Sequence, residues 1–275
     1  MTRLTVVVDN HASRDGILAE WGFSLWVEHG GHVFLLDTGM GQALLPNLAA
    51  LGLPASQIQG VVLSHGHHDH TGGLESLLST VGGRPVWCHP GVFETHYKQG
   101  PDGRLTDIGI PLGSRSAYEK LGADFRLVTG PTEPWPGVHL IAPVPRLTAF
   151  EGLNPSLLTN LGPALVPDPL LDDLLLVLET GEGLVAVTGC AHAGVVNILL
   201  AVQDFLGASP AWLVGGFHLD LVHEGQRRAT LDHLSLLREI RVAAGHCTGP
   251  ISSRALATSL GVRFQALAAG QSLEF

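Results

Sequence analysis

The hydrophobic positions of this chain either alternate with polar ones or gather into short unbroken runs, and Gly and polar turns separate the stretches. Alternation belongs to half-buried strands, and an unbroken run bounded by turns fits a strand covered on both faces. Leu4 to Asp9, Phe23 to Glu28 and Val33 to Asp37 are predicted as the opening strands of a sheet. Gln42 to Leu51 reads as a helix. Gln57 to Ser64 reads as a strand whose last residues, Gly60 to Ser64, are buried before the chain turns polar. Leu74 to Thr80 predicts a helix that opens straight after Gly72-Gly73, and Pro85 to His89 a short strand.

Between residues 90 and 169 the periodicity is broken by frequent Gly, Pro and charged residues. This stretch is either an insertion that shapes a substrate site or a series of edge strands and loops. The pattern returns at Asp173 to Thr180 and Leu184 to Thr188, which read as a hairpin about Glu182-Gly183. An apolar helix at Val195 to Phe205 and strands at Ala211 to Phe217 and Ile240 to Ala244 follow. The second half repeats a shape of the first: a strand, Cys190-x-His192 where the earlier strand has His65-x-His67, then Gly and an apolar helix. Two halves related as diverged copies are therefore expected.

Composition narrows the field. A length of 275 residues suits one large domain, read here as residues 1–275. A net charge of −10 with 15 Lys and Arg argues against a nucleic-acid partner, which needs a basic face, and leaves a small molecule as the expected one. Met1 to Asp9 has no charged-then-apolar leader, and no apolar run is long enough for a bilayer, so no membrane association and a cytoplasmic location are expected. Three cysteines, Cys88, Cys190 and Cys247, make no even framework and are read as reduced. Nothing in the sequence fixes an oligomeric state.

The chemistry concentrates where the buried strand ends, in Ser64-His65-Gly66-His67-His68-Asp69-His70-Thr71-Gly72-Gly73. His65, His67, Asp69 and His70 place four ligand-type side chains within one short loop. Imidazoles at alternate positions point the same way, and Asp69 and His70 fall on the turn into the next helix. A donor set of imidazoles with one carboxylate suits zinc, iron or manganese better than calcium or magnesium. Two metal ions fit in such a cluster.

These residues resemble the signature of the metallo-β-lactamase superfamily. Phe34-Leu35-Leu36-Asp37-Thr38-Gly39 is similar to its first motif, which implies that Asp37 braces the metal loop through hydrogen bonds. Gly245-His246-Cys247-Thr248-Gly249 is similar to its last metal-binding motif, which implies that His246 is a ligand. With Val8-Asp9-Asn10, Gly22-Phe23-Ser24-Leu25, the Cys190-Ala191-His192 segment with Gly194 and Asn197, and Gly216-Phe217-His218-Leu219, the likeness spans nearly the whole chain. It points to the subgroup of 7,8-dihydropterin-6-yl-methyl-4-(β-D-ribofuranosyl)aminobenzene 5′-phosphate synthases and related metal-dependent hydrolases. The resemblance implies an α+β fold, a four-layered αββα sandwich of two pseudo-symmetric halves, with metals held between the halves at its upper edge.

One departure stands out. Most superfamily members have Thr-Gly-Asp, with the aspartate bridging two metals, where this chain has Thr188-Gly189-Cys190. The usual third-motif histidine is also missing from Val166 to Leu171, and His192 is the expected replacement. Cys190 is either a thiolate ligand or a buried thiol. His218, at another strand end, reads as a general acid or substrate contact, or as a satisfied core histidine. His11, His29, His32, His89, His96, His139, His223 and His233 are expected at the surface or as local caps.

The expected activity is hydrolysis of a small ester, phosphoester or lactone by a metal-activated water, with zinc the first choice of metal and iron or manganese the alternatives. Asp69 would ligate and orient the water, and His218 would protonate the leaving group. A pterin-type transferase and a non-catalytic or redox metal protein are the alternatives.

Overall fold

The computed structural model describes residues 1–275. The chain opens with strands β1 (Thr2–Val8), β2 (Ser24–His29) and β3 (His32–Leu36), then helix α1 (Leu44–Ala50) and the short strand β4 (Val61–Val62). A single helical turn α2 (His68–Thr71), helix α3 (Leu74–Val81) and strand β5 (Arg84–Cys88) follow. The middle holds β6 (Tyr97–Gln99), β7 (Leu105–Asp107), α4 (Arg115–Glu119), β8 (Ala123–Leu127), β9 (Thr132–Trp135), β10 (Val138–Ile141), β11 (Leu157–Leu161) and β12 (Ala164–Pro167). The chain then runs through β13 (Leu175–Thr180), β14 (Gly183–Thr188), α5 (Val195–Leu206), β15 (Trp212–Gly216), α6 (Glu224–Leu236), β16 (Arg241–Gly245), α7 (Pro250–Leu260), β17 (Phe264–Ala266) and β18 (Ser272–Glu274). No helix is long and apolar enough to cross a membrane.

Two seven-stranded sheets carry the fold, ordered β18-β1-β2-β3-β4-β5-β8 and β17-β16-β15-β14-β13-β10-β9. Their facing surfaces form one core, with Leu25, Val27, Phe34 and Leu36 meeting Leu176, Leu178, Val185 and Val187. The outer faces have cores of their own. Trp26, Leu35 and Val61 pack with Leu44 of α1 and Leu77 of α3, while Leu175, Val177 and Ala186 pack with Ile198 of α5 and Leu256 of α7. Consecutive residues of β2, β3, β13 and β14 thus enter different cores, which is why these strands read as unbroken apolar runs. The layers are helix, sheet, sheet, helix, the expected αββα sandwich.

The pseudo-symmetry is visible in the pairing. β1-β2-β3 pair antiparallel and β3-β4-β5-β8 parallel, just as β10-β13-β14 pair antiparallel and β14-β15-β16-β17 parallel. Helix α1 bridges β3 to β4 where α5 bridges β14 to β15. The repeat therefore has a different register from the one the sequence suggests: β14 is the counterpart of β3, so Cys190 corresponds to the Asp37 position and the strand end before His218 to that before His65. Both Cys-x-His and His-x-His follow strands and precede apolar helices, and this local likeness masks the one-strand offset.

The β4 ladder, Val61–Val62, is shorter than the predicted Gln57 to Ser64, whose first residue ends a 3₁₀ turn, Ala55–Gln57. Residues 90–169 divide between two roles. β8, β9 and β10 extend the main sheets, while β6, β7, β11 and β12 form a separate four-stranded sheet.

Candidate metal centre

The expected residues meet where strands from both sheets end. Asp37 follows β3, His65 and His67 follow β4, Asp69 and His70 lie on α2, Cys190 and His192 follow β14, His218 follows β15 and His246 follows β16. Asp37, Ala191, His218 and His246 adopt positive φ of 60°, 54°, 52° and 48°, so four of the five non-Gly residues in this region of backbone space cluster here. Such conformations are costly and persist where surrounding structure fixes them. Gly189 is required for a related reason: a Cβ there would collide with the Ser64 side chain and crowd Asp37.

Asp37 is the hub. Its Oδ1 accepts the Ser64 N–H at 2.7 Å, and its Oδ2 accepts both the Ser64 hydroxyl and His70 Nδ1–H at 2.7 Å. With its proton spent on Asp37, the Ser64 hydroxyl accepts from His65 Nδ1 at 2.9 Å. At the far side, Asn10 Nδ2 donates to the His246 carbonyl and Asn10 Oδ1 accepts from Gly22 N–H, which fixes the amide; His246 Nδ1 must then donate to Oδ1 at 3.0 Å. Each imidazole thereby turns a bare Nε2 inward.

The inward atoms converge. His70 Nε2 and His246 Nε2 lie 3.1 Å apart, with Cys190 Sγ 3.1 Å from the former. Asp69 Oδ2 is 3.5 Å from His246 Nε2 and 3.9 Å from His70 Nε2. His65 Nε2 lies 3.0 Å from His67 Nδ1, and the His192 ring centre is 4.8 Å and 4.9 Å from those of His65 and His67. Cys190 belongs to three donor triads, with His65 and His192, with His70 and His246, and with His218 and Cys247, each having its ligand atoms within 4.8 Å of one another. Two lone pairs facing at about 3 Å repel unless a proton or a cation sits between them. Ligands of a tetrahedral zinc at about 2.0–2.1 Å stand roughly 3.3 Å apart, so the spacing is close to the edge of a coordination shell. His67 Nε2 and His192 Nε2 are buried without a partner, a further sign of donors left for a ligand. The residues fit a metal centre.

The electrostatics agree. Burial, helped by neighbouring imidazoles, holds His65, His67 and His192 well below the usual histidine range, so they present neutral donors. Burial pushes the Asp69 carboxyl up, but His70, His246 and His67 outweigh it and hold it ionised. Burial lowers His70, and the Asp37 and Asp69 carboxylates reverse this and lift it to about 9, so without a metal a proton takes the cation's place. Burial and the adjacent Cys247 sulfur push the Cys190 thiol well above its usual range, so a thiolate there requires a cation beside it.

The metallo-beta-lactamase superfamily profile matches residues 22–246. The chain belongs to the metallo-β-lactamase superfamily. The 7,8-dihydropterin-6-methyl-4-(beta-D-ribofuranosyl)-aminobenzene-5'-phosphate synthase of Methanocaldococcus jannaschii is 26% identical over 250 residues, 88% of this chain and 84% of that protein. The crystal structure of Tm1679, a metal-dependent hydrolase of the beta-lactamase superfamily, aligns with a TM-score of 0.84 and 26% identity over 100% of this chain and 99% of that one. A diphosphatase of the PhnP family, at 14% identity and TM-score 0.56 over 100% and 98% of the two chains, shares the metallo-β-lactamase fold.

Several site residues escaped sequence reasoning. His96, expected at the surface, is buried: its Nδ1 donates to Asp168 at 2.7 Å, its ring centre is 5.3 Å from that of His67, and neighbouring Asp172 accepts the Gly66 N–H at 2.7 Å. His29 is likewise buried, bonded to the Thr2 hydroxyl. Cys247 places its Sγ 3.2 Å from Cys190 Sγ and accepts His218 N–H. Asp9 and Asn10 hold His246 by its N–H and its ring. The Val8-Asp9-Asn10 likeness at a strand end marks these two without giving their partners; His96 sits in the stretch without periodicity and has no such mark. His89, by contrast, caps a 3₁₀ turn by accepting from Gly91 N–H, as expected. All three cysteines are free.

Proposed function

We propose that this chain is a metal-dependent hydrolase of a small ester, phosphoester or lactone, holding two divalent transition-metal ions, with zinc the first choice and iron or manganese the alternatives. His65, His67 and His192 would hold one ion, Asp69, His70 and His246 the other, with Cys190 as a thiolate between them. The observation that carries this reading is the approach of His70 Nε2 and His246 Nε2 to 3.1 Å, each ring having committed its Nδ1 to an outward hydrogen bond.

When bound, such ions supply a water acidified to a pKa of about 7 and neutralise charge that develops on a carbonyl or phosphoryl oxygen. The chain's own residues do the rest. The ionised Asp69 carboxylate would accept a hydrogen bond from the attacking water and orient it. His218 lines the cavity above the centre, with its ring centre 4.5 Å from that of His192, and is placed to give a proton to the leaving group. Asp37 and Asn10 keep the His70 and His246 protons on Nδ1, so no ligand nitrogen is lost to the wrong tautomer. Three free thiols in one chain agree with a cytoplasmic setting. A transferase is the second reading, favoured by the likeness to the M. jannaschii synthase over 88% of this chain.

The test is to count metals per chain in the purified protein, load cobalt into the stripped protein, and screen esters, lactones and phosphodiesters before and after chelation. Two ions per chain, chelator-sensitive hydrolysis and a sulfur-to-cobalt charge-transfer band that Cys190→Ser removes are expected. Hydrolysis that survives metal loss would sink the mechanism. Metal-dependent consumption of a pterin substrate with no hydrolysis of any test compound would favour the transferase.

A further inference from the structure

A cavity of about 170 Å³ opens over the metal centre, smaller than the ~300–1,000 Å³ usual for drug-sized ligands, so it admits a small molecule or one end of a larger one. His67, Asp69 and His218 line it from the centre, and Lys98, Asn154 and Ser156 from the segment that builds the small sheet. Lys98 is one of two lysines in a chain of net charge −10. It lies on β6, in register with Leu157 of β11, which also lines the cavity.

The other polar groups of this segment are already committed. Asn154 Oδ1 accepts from the Ser156 N–H and hydroxyl, and its Nδ2 donates to the Leu221 carbonyl at 3.3 Å. Nearby Arg146 is spent on the backbone carbonyls of Glu151, Gly152, Pro169 and Ala193. Lys98 has neither an ion pair nor a side-chain hydrogen bond, and no other Lys or Arg lines the cavity. An acidic protein repels anions at long range, and a cation at a concave mouth reverses this locally. We infer that Lys98 forms an oxyanion subsite, binding a phosphate or carboxylate that the substrate carries apart from the bond that is cleaved. This rests on the hydrolase reading and narrows its substrates to anionic ones.

The test compares metal-loaded wild type, Lys98→Gln and Lys98→Arg on matched ester pairs that differ only in carrying a distal phosphate, a distal carboxylate or a neutral group. Lys98→Gln should lower the kcat/KM ratio of charged to neutral substrate about tenfold, through KM, and Lys98→Arg should restore most of it. Whichever anion shows the larger loss identifies the natural group. An unchanged ratio overturns the subsite. Calorimetric titration with inorganic phosphate and with acetate runs alongside: weaker binding to Lys98→Gln than to wild type supports the subsite even if no ester is hydrolysed, which would count against the hydrolase reading alone. Equal binding to both proteins overturns the subsite whatever the turnover.

Discussion

The two halves of the sandwich offer three equivalent strand ends each, and they use them differently. In the first half, β3, β4 and β5 end at Asp37, at the His65 to His70 loop and at His89. In the second, β14, β15 and β16 end at Cys190 with His192, at His218 and at His246. The first half concentrates its donors in one loop, because the single turn α2 folds Asp69 and His70 back beside His65. The second half spreads its candidate ligands over two strand ends, Cys190 and His192 after β14 and His246 after β16, while His218 after β15 stands beside them. Topological equivalence thus fixes where a side chain can reach the centre, while the residue present decides whether it ligates, braces or does neither.

The pair at the β4 and β15 ends should show the largest contrast. The His65→Ala, His67→Ala double variant removes two donors that share one ion, so metal content by elemental analysis should fall and turnover should drop to that of the stripped protein. His218→Ala should keep both ions and lower kcat by about 10²–10⁴, the usual reach of a positioned general acid. A fall in metal content for His218→Ala would erase the contrast and place His218 with Cys190 and Cys247 as a ligand.

This difference between halves also explains what the sequence made legible. His65, His67, Asp69 and His70 announce themselves because they are adjacent, and the buried strands because residues feeding two cores leave an unbroken apolar run. His246 and His192 needed the family likeness, since a single histidine at a strand end carries no local signature. Cys247, Asn10 and His96 act through contacts at |i−j| of 57, 236 and 72, and nothing in their neighbours foreshadows those partners. The register of the internal repeat is hidden in the sequence for the same reason: pairing order is a property of the sheets, and Cys-x-His looks like His-x-His only along the chain.

At the β3 and β14 ends, Asp37→Asn tests bracing against ligation. An asparagine keeps the shape, but its amide N–H₂ must replace either Oδ1, which accepts Ser64 N–H, or Oδ2, which accepts His70 Nδ1–H. The fixed Ser64 N–H holds the amide oxygen, so the amide nitrogen faces His70 Nδ1 and drives the ring proton to Nε2, where a lone pair is needed. Affinity for the ion held by His70 should weaken about 10–100-fold, the usual effect of losing a ligand's orienting partner. The other ion should be held as before in competition titrations with a chelator. Unchanged affinity for both ions would show that Ser64 and the backbone alone orient the loop.

The smallest effect is expected at the β5 end, whose role differs most from that of its counterpart, the β16 end. His89 and His246 each follow the last residue of a parallel strand, yet His89 Nδ1 accepts from Gly91 N–H at 3.1 Å while His246 turns Nε2 into the centre. His89→Ala removes a cap, a loss of about 1 kcal/mol, which lowers Tm by roughly 2–4 °C in a chain of this size class. Both ions should remain and turnover should stay within about twofold. His246→Ala should instead release the ion that His70 shares with it, so the two substitutions, made at equivalent positions, separate by metal content. Loss of metal from His89→Ala would mean that the first half reaches the centre through a third strand end, and that its donors are less concentrated than the loop suggests.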